Sequence, residues 1–135
     1  MLFYIDTLFI YGENSSIILD NINVENGYFL NSAINYAEPN KIGNINIKNS
    51  KFNNIKSEKG GVIRIDDMSE QYGTTISFDN VTMQETEALD RGGVIFSTNK
   101  FANNIVSFNN CKFIDTKAKY GNNLKLFSNL VIYIN

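Results

Sequence analysis

The side chains of this chain that could do chemistry are few, and a missing residue sets the first constraint. Histidine is absent. That removes the commonest general base and metal ligand and excludes Ser-His-Asp and Cys-His catalysis within the chain. Cys111 is the one cysteine, so neither an internal disulfide nor a cysteine-built zinc site can form. What remains is carboxylate chemistry. A pair of carboxyl groups can cleave a glycosidic bond, one as acid and the other as base or nucleophile; Asp79, Glu85, Glu87, Asp90 and Asp115 are the available members. Carboxylates can also gather calcium, which takes about six to eight oxygens, and Asp66 and Asp67 beside Arg64 are the candidates for that role.

Whether such residues meet depends on the elements that carry them. The 135 residues suit one domain or part of one. Twelve basic against 14 acidic residues leave a net charge of −2, with no block of like charge. This gives no electrostatic reason to expect a nucleic acid or an anionic membrane as partner. No apolar run approaches the roughly 20 residues of a membrane span. The stretch 1–11 is apolar but broken by Asp6 and lacks a basic leader; it reads as strand rather than signal peptide.

The organising feature is an internal repeat. Ile17-Ile-Leu-Asp-Asn-Ile-Asn-Val24, Ile45-Asn-Ile-Lys-Asn-Ser-Lys-Phe52, Ile76-Ser-Phe-Asp-Asn-Val-Thr-Met83 and Val106-Ser-Phe-Asn-Asn-Cys-Lys-Phe113 align at steps of about thirty residues. Down the columns, the first position is Ile17, Ile45, Ile76 and Val106, and the third is Leu19, Ile47, Phe78 and Phe108. The fifth is asparagine every time: Asn21, Asn49, Asn80 and Asn110. A second block follows, identical in Gly60-Gly-Val-Ile63 and Gly92-Gly-Val-Ile95 and weaker in Gly121-Asn-Asn-Leu124 and Asn31-Ser-Ala-Ile34.

Alternation of apolar and polar residues is the period of a strand with one buried face. The phase breaks at the asparagine and resumes after it, which marks a corner between two strands. Asparagine tolerates the left-handed backbone that such a bend needs. Stacked on one corner, Asn21, Asn49, Asn80 and Asn110 are expected to form a buried ladder of amides linking coil to coil. Gly60, Gly61, Gly92, Gly93 and Gly121 mark another corner, where a positive φ or a close approach excludes a Cβ. The spacing therefore predicts an all-β right-handed parallel β-helix, with three short strands in each coil of about thirty residues. The coils fall at about 15–42, 43–73, 74–104 and 105–129, with partial coils over 1–14 and 130–135, as a single segment of a longer solenoid. Residues 37–43, 66–73, 85–91 and 98–104 are expected to be loops.

These columns resemble the right-handed β-helix repeats of the pectin-lyase-like superfamily. They are similar in particular to polymorphic outer-membrane-protein repeats, through Phe78-Asp-Asn80 leading to Gly92-Gly-Val-Ile95 and Phe108-Asn-Asn-Cys-Lys-Phe113 leading to Gly121. The resemblance covers about residues 15–135 and rests on core and corner positions. It implies an extracellular or cell-surface location. It implies either a structural or adhesive segment or a polysaccharide-acting enzyme whose catalytic coils lie elsewhere. In pectate-lyase-like enzymes, carboxylates on adjacent coils hold calcium and an arginine acts as base. The positions expected above Arg64, Asp66 and Asp67 are Phe96, Thr98 and Asn99, which supply no further acid.

The expectation for the sites is accordingly plain: no catalytic residue, no metal and no cofactor. None of the five other acids is expected in a repeated column beside another acid. Cys111 shares an inward column with Ile22, Ser50 and Val81 and reads as an unreactive core residue. Asn14, in Asn-Ser-Ser, is the possible glycosylation acceptor. Tyr36, Tyr72, Phe96, Phe101 and Tyr120 lie in or near loops, where exposed rings could stack on sugars or pack on a partner. The expected partners are other protein segments or subunits that cover the ends of the solenoid, by lateral packing in an assembly as one alternative, and glycans.

Overall fold

The computed structural model describes residues 4–5, 8–9, 15–36, 43–65, 75–99, 102–121 and 124–126. Asn14, Pro39, Asp66, Asp67, Tyr72 and Phe101, and the side chain of Tyr36, lie outside what is described.

The chain winds through the same three strand positions again and again. Strands β1 (Tyr4–Ile5) and β2 (Leu8–Phe9) begin it. The first full coil holds β3 (Ser15–Asp20), β4 (Asn23–Phe29) and β5 (Ile34–Tyr36). The second holds β6 (Gly43–Lys48), β7 (Lys51–Lys59) and β8 (Ile63–Ile65). The third holds β9 (Thr75–Asp79), β10 (Thr82–Arg91) and β11 (Ile95–Ser97). A single helical turn, α1 (Ala102–Ile105), leads into the fourth, made of β12 (Val106–Asn109), β13 (Lys112–Ile114), β14 (Lys117–Tyr120) and β15 (Leu124–Leu126).

Like strands stack on like to give three sheets, ordered β12-β9-β6-β3, β1-β4-β7-β10-β13 (with β14 also on β10) and β15-β11-β8-β5-β2. We refer to them as the first, second and third sheets. Every pairing is parallel. This is an all-β stack of parallel coils, consistent with a parallel β-solenoid. The register follows the repeat columns: Ile17 pairs with Ile45, Ile45 with Ile76, and Ile76 with Val106.

Inward positions fill a continuous core. Ile45, Ile47, Phe52, Ile55, Val62, Ile63, Ile65, Ile76, Phe78, Met83 and Ile95 are buried in one cluster. The Phe78 and Phe108 rings stack 4.9 Å apart between the third and fourth coils, and Phe108 meets Phe113 edge-on at 5.3 Å. Each such ring removes roughly 150–250 Å² from water when buried, so the core columns dominate the stability of the stack.

One expectation about the loops fails. Residues 85–91 are not a loop but the second half of β10. Thr86 and Ala88 turn inward and are buried while Glu87 turns out, so the strand continues past the bend. A bulge at Leu89–Asp90 inserts one extra residue, since Ala88 pairs with Ser57 but Arg91 with Lys59. The bulge explains why the step from corner asparagine to glycine is one residue longer in this coil. The stretch 98–104, also expected as loop, contains the α1 turn.

Candidate functional site

The exterior chemistry is set by three corners. At the first, Asn21, Asn49, Asn80 and Asn110 all adopt left-handed φ, between 45° and 55°. Their backbone amides keep the sheet bonding alive around the bend: Asn49 N donates to Asp79 O at 3.0 Å and Asn80 N to Asn109 O at 2.9 Å. The side chains project outward. Asn110 Nδ2 donates to Asn80 Oδ1 at 3.4 Å, and Asn80 Nδ2 to Asn49 Oδ1 at 2.8 Å. Asn49 Nδ2 then donates to Asp20 Oδ1 at 3.0 Å rather than to Asn21.

The ladder is therefore exposed rather than buried, which corrects the expectation from sequence. All four asparagines are exposed. The left-handed residue is the point where the chain turns outward around the core, so its Cβ faces solvent while its neighbours in the third and sixth columns face in. A parallel row lies beside it, with Asn109 Nδ2 donating to Asp79 Oδ1 at 2.9 Å.

A second left-handed corner follows five residues later and was not anticipated. Asn26, Asn54, Glu85 and Asp115 have φ of 55°, 52°, 52° and 51°, and Asn54 Nδ2 donates to Asn26 Oδ1 at 2.7 Å. The signal was present in the sequence, because these residues keep the same steps of about thirty as the first column. It was hidden because only two of the four are asparagine.

The glycine corner divides its labour. Gly60, Gly92 and Gly121 take φ of 65° to 67°. Gly61 instead has a Cβ direction blocked by the carbonyl oxygen of Gly93 in the next coil, so the second glycine of the pair is fixed by close approach.

The second corner brings the candidate residues together. Glu85 and Asp115 stand in one column on adjacent coils, which overturns the expectation that no acid lies beside another in a repeat position. With Asn54, Lys56, Glu87 and Lys117 they line a shallow open groove of about 180 Å³ on the outer face of the second sheet. Lys56 Nζ lies 3.3 Å from Glu87 Oε2, and Glu87 is the register partner of Lys117. The groove thus places carboxylates, ammonium groups and an amide within reach of one another. It can donate and accept hydrogen bonds to a polyhydroxylated ligand.

The other candidates disperse. Asp79 belongs to the asparagine row, and Asp90 lies 3.4 Å from Arg91 Nε at the bulge. Arg64 pairs in register with Phe96, as the repeat implied, and its Nη1 donates to Asn31 Oδ1 at 3.0 Å. Phe96 is buried, so it offers no exposed ring; Lys59 Nζ covers it at 5.7 Å from the centroid. Tyr120 is the exposed ring, at 48%, with Arg91 and Lys119 against it.

Cys111 is half-buried, and its Sγ donates to Asn109 O at 3.3 Å and Phe78 O at 3.5 Å. Burial pushes its thiol above the ordinary value, which disfavours the thiolate. Among the described residues, no group of three or more Asp, Glu or Cys is placed to hold a metal ion, and no helix is long and apolar enough to cross a membrane.

Comparison of the chain with protein families, with curated proteins and with solved structures finds no match in any of the three.

Proposed function

We propose that this chain is a segment of right-handed parallel β-helix, similar to the pectin-lyase-like repeats. In this reading it serves as a structural or adhesive element of an extracellular or cell-surface protein and presents a rigid face. The observation that carries the reading is the exterior ladder. Side-chain amides bond from coil to coil outside the core, at Asp20–Asn49–Asn80–Asn110 and at Asn26–Asn54. Such rows brace the exterior of the stack between core and solvent, which suits a load-bearing or display surface. Right-handedness is the sense taken by nearly all parallel crossover connections. Other protein segments over the ends, and glycans along the faces, are the partners this reading implies.

A second reading has one observation in its favour. Glu85 and Asp115 form a stacked pair of acids along a groove, the arrangement a polysaccharide-acting enzyme of β-helix type would use. One experiment separates the two. The purified chain is incubated with a panel of neutral and acidic polysaccharides, and both bound glycan and released reducing ends or unsaturated products are measured. The structural reading expects binding without turnover, or neither. Product release that is lost in both Glu85→Gln and Asp115→Asn would overturn it in favour of the enzyme.

A further inference from the structure

The coils alternate in charge. In the described stretches, the first coil (15–36) holds two acids and no base, Asp20 and Glu25. The second (43–65) holds five bases and one acid. The third (75–99) holds four acids and one base, and the fourth (102–121) three bases and one acid. The connecting stretch 66–70 adds Asp66, Asp67 and Glu70, so the alternation belongs to the strands rather than to the whole sequence. Register turns it into contacts. Asp20 stacks on Lys48 and Lys48 on Asp79. Lys56 is paired with Glu87 at 3.3 Å, and Glu87 stacks on Lys117. Opposite charges directly across a strand pair stabilise it and like charges oppose it, so each coil suits a neighbour of opposite sign. The like-charged exception, Lys59 beside Arg91, is relieved because each cation lies over its own ring, Phe96 and Tyr120.

The two ends of the stack carry this pattern outward with opposite sign. Residues 1–36 contain Asp6, Glu13, Asp20 and Glu25 and no lysine or arginine. The stretch 106–126 contains Lys112, Lys117, Lys119 and Lys125 against Asp115 alone. Both ends also present strand edges. Strands β1, β2 and β3 stand at one end of the sheet orders and β13, β15 and β12 at the other. Because every pairing is parallel, a second stack displaced along the axis meets the first with the same strand direction in all three sheets. The apolar columns thin out toward both ends: Leu19, Val24, Phe108 and Phe113 are only partly buried, whereas Ile47, Phe52, Phe78 and Met83 are wholly so.

We propose that copies of this chain associate head to tail, the basic fourth-coil end of one docking on the acidic first-coil end of the next. The occupant is a second copy because that end supplies the complementary charge, the parallel edge and the matching apolar columns together. The inference goes beyond the structural reading above and is independent of whether the groove binds glycan.

The test is sedimentation velocity on the full 135-residue chain from micromolar to submillimolar concentration. Ionic strength is raised from about 0.01 M to about 1 M, which shortens the screening length from about 30 Å to about 3 Å. Concentration-dependent association that weakens with salt is expected. The head variant Glu25→Lys and the tail variant Lys112→Glu with Lys119→Glu should each lower the association constant about tenfold, with unchanged far-ultraviolet circular dichroism. Each variant keeps one intact end, so mixing the two should restore association. A variant that had misfolded could not be rescued in this way. A chain monomeric throughout, or association indifferent to salt and to both variants, overturns the proposal.

Discussion

At the scale of single residues, the left-handed positions make the sharpest claims. Glu85 and Asp115 hold φ near 50° where the earlier coils use asparagine. A left-handed backbone costs most residues about 1–2 kcal/mol, and asparagine much less. Glu85→Asn should therefore stabilise the chain by about 1 kcal/mol and extend the Asn26–Asn54 row by one rung, read as a higher urea midpoint at unchanged slope. A lower midpoint would mean that the carboxylate is held by contacts worth more than the strain. Gly61→Ala should act the other way, because the added methyl meets the backbone oxygen of Gly93, which cannot rotate aside. A loss of about 1–3 kcal/mol in the same measurement is expected. The Cys111 thiol has a pKa raised above its ordinary 9.0, chiefly by burial. The folded chain then binds more protons than the unfolded one once pH exceeds that ordinary value, so this residue's contribution to stability is intact below pH 9.0 and declines above it. Alkylation of Cys111 should correspondingly be slower in the folded chain than in urea-unfolded chain at the same pH.

At the scale of elements, the sequence announced the strands wherever a column was chemically uniform. The first sheet was legible because Ile17, Ile45, Ile76 and Val106 repeat one kind of side chain, and the third because Gly-Gly-Val-Ile repeats outright. The second half of β10 was not, since its inward residues, Thr86 and Ala88, are not the large apolar groups that signal a strand. The bulge at Leu89–Asp90 also shifts the phase. The groove was missed for the same reason: its column reads Asn, Asn, Glu, Asp and is unified by backbone angle rather than by side-chain type. Even the asparagine ladder, identified by its spacing, was placed on the wrong side of the wall, because spacing does not say which way a left-handed residue faces. The core strands themselves should be graded in importance. Phe78 is fully buried in β9, while its stacking partner Phe108 in β12 is only partly covered. Phe78→Ala should cost about 3–5 kcal/mol, and Phe108→Ala distinctly less, by chemical denaturation. Equal losses would place Phe108 as deep in the core as Phe78.

At the scale of the whole molecule, a stack in which each coil touches only its neighbours has stability that is approximately a sum of coil terms and interfaces. An inner coil has an interface on both sides, and a coil at the edge is less covered. The burial pattern already shows the consequence: Ile45, Ile47, Ile76 and Phe78 are sealed, while Ile17, Leu19, Val106 and Phe108 in the same columns are not. Opening should therefore begin at the outer coils and reach the middle last. Native-state hydrogen exchange resolves this. Amides of β6, β7, β9 and β10 should exchange only through the largest opening, and those of β12, β13 and β3 through smaller ones, with protection falling toward both ends. Head-to-tail association would flatten this gradient at the fourth and first coils as concentration rises, leaving the middle unchanged. A gradient that persists at high concentration and low salt would leave the stack braced internally by its alternating charges, with ends that do not meet. Uniform protection in dilute solution would instead show that the ladders and core couple all four coils into one cooperative unit, and that coil-by-coil additivity fails for this chain.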